Sequence, residues 1–203
     1  QAMLLRAHIA GDRSDDVYRE LGILLEQSSA DMDVVMRYVG EALGSVPDAG
    51  RWLGVMQRLA DRLPDRPHVH LARSFVAHRA GQAGQADASL DRALELRPGW
   101  EEAAIFRLSW WHDAGKQEAI KTFAQKFLAA YPDRGRFQLG FARLLAQWSN
   151  NHAALEQFRR LIEREPENRD ALFSAGLLYL QQKQYQPAAD MFRRYLLLEP
   201  GAD

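Results

Sequence analysis

Apolar residues along this chain recur at the three- and four-residue spacing of a helix face turned to a core, in short runs that stop and restart at a regular interval. Val17, Leu21, Leu24 and Leu25 form the first clear run, followed by Val35, Val39 and Leu43 and then by Trp52, Met56, Leu59 and Leu63. From residue 67 the stripes sharpen. One holds Ala86, Leu90, Ala93, Leu94 and Leu96, the next Ile105, Leu108 and Trp111, and a third Ala119, Phe123 and Phe127. Phe141, Ala142 and Leu145 are answered by Ala154, Phe158 and Leu161, and Leu172, Gly176 and Tyr179 by Ala188 and Phe192. Between paired stripes lie turn residues: the cluster 11–15, Pro47-Asp48-Ala49-Gly50, Gly81, Gly115, and Ser149-Asn150-Asn151. The pattern predicts successive helical hairpins.

Their period is set by proline. Pro64, Pro98, Pro132, Pro166 and Pro200 stand at one constant interval, and a proline both lacks an N–H and clashes with a preceding carbonyl, so each should stop the second helix of a hairpin. A fixed period of this length marks an array whose units bury their apolar faces only against their neighbours. The units read as 33–66, 67–100, 101–134, 135–168 and 169–202, preceded by a partial hairpin at 1–32, in which Ala30 holds the proline's place and Asp31 or Asp33 can cap the next helix. All six belong to one array, expected to be a segment of a longer one. In 101–134 the pair Ala119 and Phe123 arrives one residue early, which predicts a shortened internal turn. In 169–202, large Leu172 and Tyr179 flank small Gly176 on the first helix, and small Ala188 sits one turn from large Phe192 on the second. Large against small lets two helix backbones approach closely.

The spacing Leu172, Gly176, Tyr179, Ala188, Phe192, Pro200 resembles the tetratricopeptide repeat, a helix–turn–helix unit of about 34 residues, and the resemblance extends over five units and the leading fragment. It departs in 33–66, where Trp52 occupies the small position of the second helix. The resemblance implies an all-α fold, an α–α superhelix of antiparallel helix pairs, with the first helix of each pair lining a concave groove that holds peptides or helices of a partner protein. Groove positions carried over from it are Arg37 and Glu41; Leu71, Phe75, His78 and Arg79; Ile105, Ser109, His112 and Asp113; Arg136, Leu139, Arg143 and Gln147; and Phe173, Leu177 and Gln181. The lysine and asparagine set with which some members clamp a terminal carboxylate is missing, although Arg37 and Arg143 could pair with a carboxylate. The stretches 66–73, 94–100 and 127–132 are also similar to long proteobacterial envelope proteins of this kind, some of them lipoproteins that act as protease adaptors. The resemblance therefore implies a non-enzymatic scaffold, and it points to a periplasmic or outer-membrane-anchored setting, with a cytoplasmic one left open.

Composition narrows the alternatives. The 26 basic and 27 acidic side chains leave a formal charge of −1, so no global field favours nucleic acid. There is no cysteine and hence no disulfide or thiolate chemistry, and no apolar run approaches the length of a membrane span. Neither a glycine-elbow serine, a phosphate-cradling loop nor a helical pair of histidines four apart is present, so no catalytic residue, metal ligand or cofactor is expected. His68 and His70 read as solvent-facing or capping, and His78 and His112, one period apart, as equivalent surface positions. Glu101-Glu102 and Asp15-Asp16 sit where helices begin and their charge suits the helix dipole. Trp111 falls at a packing position; Trp110, with Trp100 and Trp148, could form a stacking platform for sugars or bases. Two further roles stay open beside peptide binding: self-association through open ends of the array, and a scaffold in polysaccharide secretion.

Overall fold

A computed structural model describes residues 49–198, with Asp16, Arg19, Glu20 and Ile23. Asp16, Arg19, Glu20 and Ile23 are helical; the other expectations for 1–32, those for the first helix of 33–66, and those for Arg37, Glu41 and Pro200 lie outside the described residues. Within them there are nine α-helices and no strand: α1 (Ala49–Arg62), α2 (Pro67–Arg79), α3 (Ala83–Leu96), α4 (Glu101–Asp113), α5 (Gln117–Ala130), α6 (Gly135–Gln147), α7 (Asn151–Arg164), α8 (Arg169–Gln181) and α9 (Tyr185–Leu197). The starts of α2, α4, α6 and α8 are separated by the same interval as the prolines, and so are those of α1, α3, α5, α7 and α9. The architecture is all-α, built from helix pairs at that period.

The prolines act as expected. Pro64, Pro98, Pro132 and Pro166 each follow the last residue of an odd-numbered helix by two. Three of their carbonyls are then used by side chains from neighbouring helices: His70 Nε2 donates to Pro64 at 2.8 Å, Arg164 to Pro132, and Arg194 to Pro166 at 3.3 Å. The shorter turns inside each pair share one backbone feature. Gly81, Gly115, Ser149 and Lys183 have φ of 72°, 69°, 58° and 60°, a left-handed residue at the same place in four successive turns. Only glycine takes that conformation without steric cost, so Ser149 and Lys183 are held there by the helices on either side.

The chain divides into two compact units, Gln1–Ala103 and Ala104–Asp203. In the first, α1 packs on α2 and α2 on α3, burying Trp52, Met56, Leu59, Val69, Ala72, Val76, Leu90 and Ala93. Trp52 is 1% exposed. An indole thus fills the position where Ala86 stands in the next pair. Of the expected turn at 47–50, Ala49 and Gly50 already belong to α1.

In the second unit one apolar cluster runs through α4 to α8, with Ile120, Ala124, Phe137, Ala142, Phe158, Leu161 and Leu172 near its centre. The expectation of a shortened turn in 101–134 is not met: residues 114–116 make a turn as long as 80–82, 148–150 and 182–184. Ala119 is exposed and Ile120 is buried. The register has not moved; instead the sizes are exchanged, with Ile120 at the usual small position and Ala124 where Phe158 and Phe192 stand one and two periods later. The facing helix compensates. Leu108 lies opposite small Ala124 in sequence register, Ala142 opposite Phe158, and Gly176 opposite Phe192. At the last pair the contact is direct: a Cβ on Gly176 would lie 2.7 Å from Phe192 Cε1.

Candidate functional site

Helices α6 and α8 frame a concavity in the second unit. Their backbones are in contact, and between them opens a cleft of about 430 Å³ lined by Arg143, Ala146, Gln147, Phe158, Ser174, Leu177, Leu178 and Gln181. Helical spacing produces this lining. Arg143 and Gln147 are four apart on α6, and Ser174, Leu177, Leu178 and Gln181 recur at three and four on α8, so each set shares one face. Phe158 and Leu178 are buried and form the apolar floor, whereas Leu177 is 48% exposed on the wall.

Arg143 is the charged group of that lining. Its Nε donates to Ser174 Oγ at 3.4 Å and its Nη2 stands 3.4 Å from Asp170 Oδ1, with the two side chains 47% and 70% exposed. Asp170 is in the first turn of α8, where a negative charge favours the helix dipole. The eight lining residues offer an apolar floor, two amides, one hydroxyl and one guanidinium. That combination suits binding.

Of the sequence-expected groove residues, the fold brings Arg143, Gln147, Leu177 and Gln181 together at this cleft. Others are placed differently. Leu71 and Leu139 are 1% and 9% exposed; both are packed into helix contacts, so neither presents its side chain to a ligand as expected. Phe173 turns toward α9, its ring 6.0 Å from Phe192 and 5.3 Å from Tyr195. His112 is half-buried with its ring 5.9 Å from that of Trp148, while Ser109, Asp113 and Arg136 are exposed and Ile105 is half-buried. In the first unit Phe75 and His78 are half-buried and Arg79 is exposed on α2. Asp170 and Ser174, which engage Arg143, were not among the expected residues; the signal that reaches them is Arg143 itself, since an arginine on a groove face invites a search for acceptors one helix away.

His68, His70 and Trp100 of the first unit depart from expectation. His70 is 7% exposed and bonded to Pro64, not solvent-facing. His68 packs edge-on against Trp100 with centroids 4.7 Å apart, and its Nε2 lies 3.4 Å from Arg97 Nη1. Burial, then the charges of Arg97 and Arg66, lowers its pKa from 6.5 to about 4. Trp100 is buried, with Arg97 over its ring at 4.7 Å, which removes it from any sugar platform. In the second unit Trp111 is wedged between Phe123 and Arg107, and Trp110, half-buried, stacks on Phe106 at 6.1 Å. Among the described residues there is no cluster of three or more metal-ligating side chains, and no helix is long and apolar enough to cross a membrane.

The repeating helix pairs can be set beside known proteins. Residues 170–202 match the family model of the tetratricopeptide repeat. This is the tetratricopeptide-repeat fold. The chain is similar to a MamA structure with a TM-score of 0.60 at 17% identity, over 78% of this chain and 93% of that one. MamA from Desulfovibrio magneticus RS-1, residues 41 to the end, superposes with a TM-score of 0.58 at 15% identity over 84% of this chain and 97% of its own. YrrB, a tetratricopeptide-repeat protein with an unusual peptide-binding site, gives 0.55 at 16% identity over 89% and 93%. No curated protein matches the sequence. At these identities the likeness is one of fold, and it agrees with the pairing of α6 with α7 and of α8 with α9.

Proposed function

We propose that this protein is a non-enzymatic interaction scaffold that takes an extended peptide segment of a partner protein in the cleft between α6 and α8. The observation that carries the reading is the lining itself: an apolar floor of Phe158 and Leu178, with Leu177, Arg143, Gln147 and Gln181 converging on it. An apolar surface with a few placed polar groups is the usual make-up of a recognition site, and the amides of Gln147 and Gln181 can each donate and accept toward a peptide backbone. The peptide-binding site of YrrB, on the same fold, supports the same use here. The similarity of residues 66–73, 94–100 and 127–132 to envelope proteins supports an adaptor role in a bacterial envelope as its setting.

The test is a displayed random-peptide library panned on the full chain, with selected peptides then measured against Leu177→Lys. Leu177 is exposed on the cleft wall, so the substitution should leave the melting temperature unchanged and weaken peptide binding by about tenfold or more. Selected peptides that bind Leu177→Lys as well as the parent would contradict the cleft as the site.

One observation favours a second reading, self-association. Phe173, Leu180, Tyr185, Leu196 and Leu197 of α8 and α9 are 42%, 46%, 66%, 55% and 75% exposed, more apolar surface than isolated exposed residues need. Sedimentation velocity over a hundredfold concentration range separates the two: a concentration-independent monomer that binds peptide supports the scaffold alone.

A further inference from the structure

We propose that the cleft selects partner segments bearing an acidic side chain next to an apolar one, and that Asp170 sets the threshold by holding Arg143 until such a carboxylate displaces it. The inference rests on the cleft being a peptide site. Its starting point is the loose engagement of Arg143. Both of its contacts, to Asp170 Oδ1 and to Ser174 Oγ, are 3.4 Å long, at the outer edge of hydrogen bonding, and an exposed ion pair of that length contributes little. Asp170 meets the guanidinium through one oxygen and one nitrogen. A guanidinium carries five N–H donors in a planar fork, and a carboxylate presented square to it forms two parallel bonds. Asp170, fixed to the first turn of α8, leaves that stronger geometry unused.

A ligand can reach it. Leu177 stands one turn along α8 from Ser174, and an apolar ligand side chain seated on Leu177 above Phe158 and Leu178 would hold an adjacent acidic side chain close to Arg143 with much of its freedom already lost. Exchange of one carboxylate for another leaves the charge of the arginine compensated throughout, whereas an uncharged ligand side chain would have to leave the Asp170 pair in place or strand Arg143. The cleft thereby discriminates acidic from neutral segments, and the strength of the resident pair determines how tightly an acidic segment must bind.

The experiment uses peptides from the library whose binding depends on Leu177, each synthesised with its acidic residue and with the matching amide, glutamate against glutamine. Expected are an affinity at least about tenfold lower for the amide peptide, a roughly two- to fivefold tighter binding of the acidic peptide to Asp170→Asn at low salt, and no change for the amide peptide. In an Arg143→Gln background both differences should vanish, a coupling that a merely helix-stabilising Asp170 would not produce. Equal affinity of the two peptides, Leu177-dependent peptides that lack any acidic residue, or an Asp170→Asn effect that survives Arg143→Gln would overturn the proposal while leaving the cleft as a peptide site. Recovery of no Leu177-dependent peptide would remove the cleft reading, and this inference with it. Melting curves of each variant confirm that the fold is retained.

Discussion

Gly176 has Phe192 where its own side chain would be, at 2.7 Å from a Cβ, and this contact gives the most direct stability prediction. Gly176→Leu should overpack the contact of α8 with α9 and cost about 1–3 kcal/mol in chemical denaturation; an unchanged midpoint would mean that the ring moves away freely. The left-handed turn residues give a paired prediction of opposite sign. Gly115→Ala, at φ 69°, should lose about 1 kcal/mol, and Lys183→Gly, at φ 60°, should gain up to about 1 kcal/mol once the added freedom of the unfolded glycine is subtracted. At this scale Gly176 was legible from its large neighbours in sequence, and Gly81 and Gly115 from their turns. Lys183 was not, since nothing in a lysine announces a left-handed backbone; its equivalence to Gly115, two periods earlier, was the available signal.

At the scale of elements, helix α8 begins with a side-chain N-cap. Asn168 Oδ1 accepts from the Ala171 N–H at 3.0 Å while its Nδ2 donates to Glu165 Oε2 at 2.8 Å, and Asn168→Ala should lower stability by about 1 kcal/mol. Helix α2 responds to pH instead. His68 binds a proton near pH 6.5 when unfolded but only near 4 when folded, so the unfolded chain holds more protons between those values and stability falls as pH drops through that window. His68→Gln removes this loss: relative to the parent, its stability should rise as pH is lowered from about 7 to about 4, and a pH-independent difference would refute the burial of a neutral imidazole. The helix count and period could be read from the apolar stripes and prolines. The register of α5 could not, because Ala119 and Phe123 imitate the repeat pattern one residue early while Ile120 and Ala124 satisfy it with sizes exchanged, and only the compensation by Leu108 across the pair resolves which is buried.

For the molecule as a whole, a single constant period fixes equivalences, and most equivalent residues serve the stacking of helices rather than recognition. Leu71 and Leu139 illustrate why groove positions transferred from a resemblance divide in two: the same position is buried where the next helix covers it and open at Phe173. Arg143, Gln147, Leu177 and Gln181 could be named from the sequence, but that they surround one cleft depends on the contact of α6 with α8, and Asp170 and Ser174, the acceptors of Arg143, come from that contact too. In the proposed function a partner segment lies in this cleft. Amide and side-chain chemical-shift mapping with a Leu177-dependent peptide should show perturbations concentrated on Arg143, Gln147, Ser174, Leu177 and Gln181; shifts centred instead on Gln125, Leu128, Gln157 and Arg160, which line a separate cavity of about 300 Å³, would rule the cleft out.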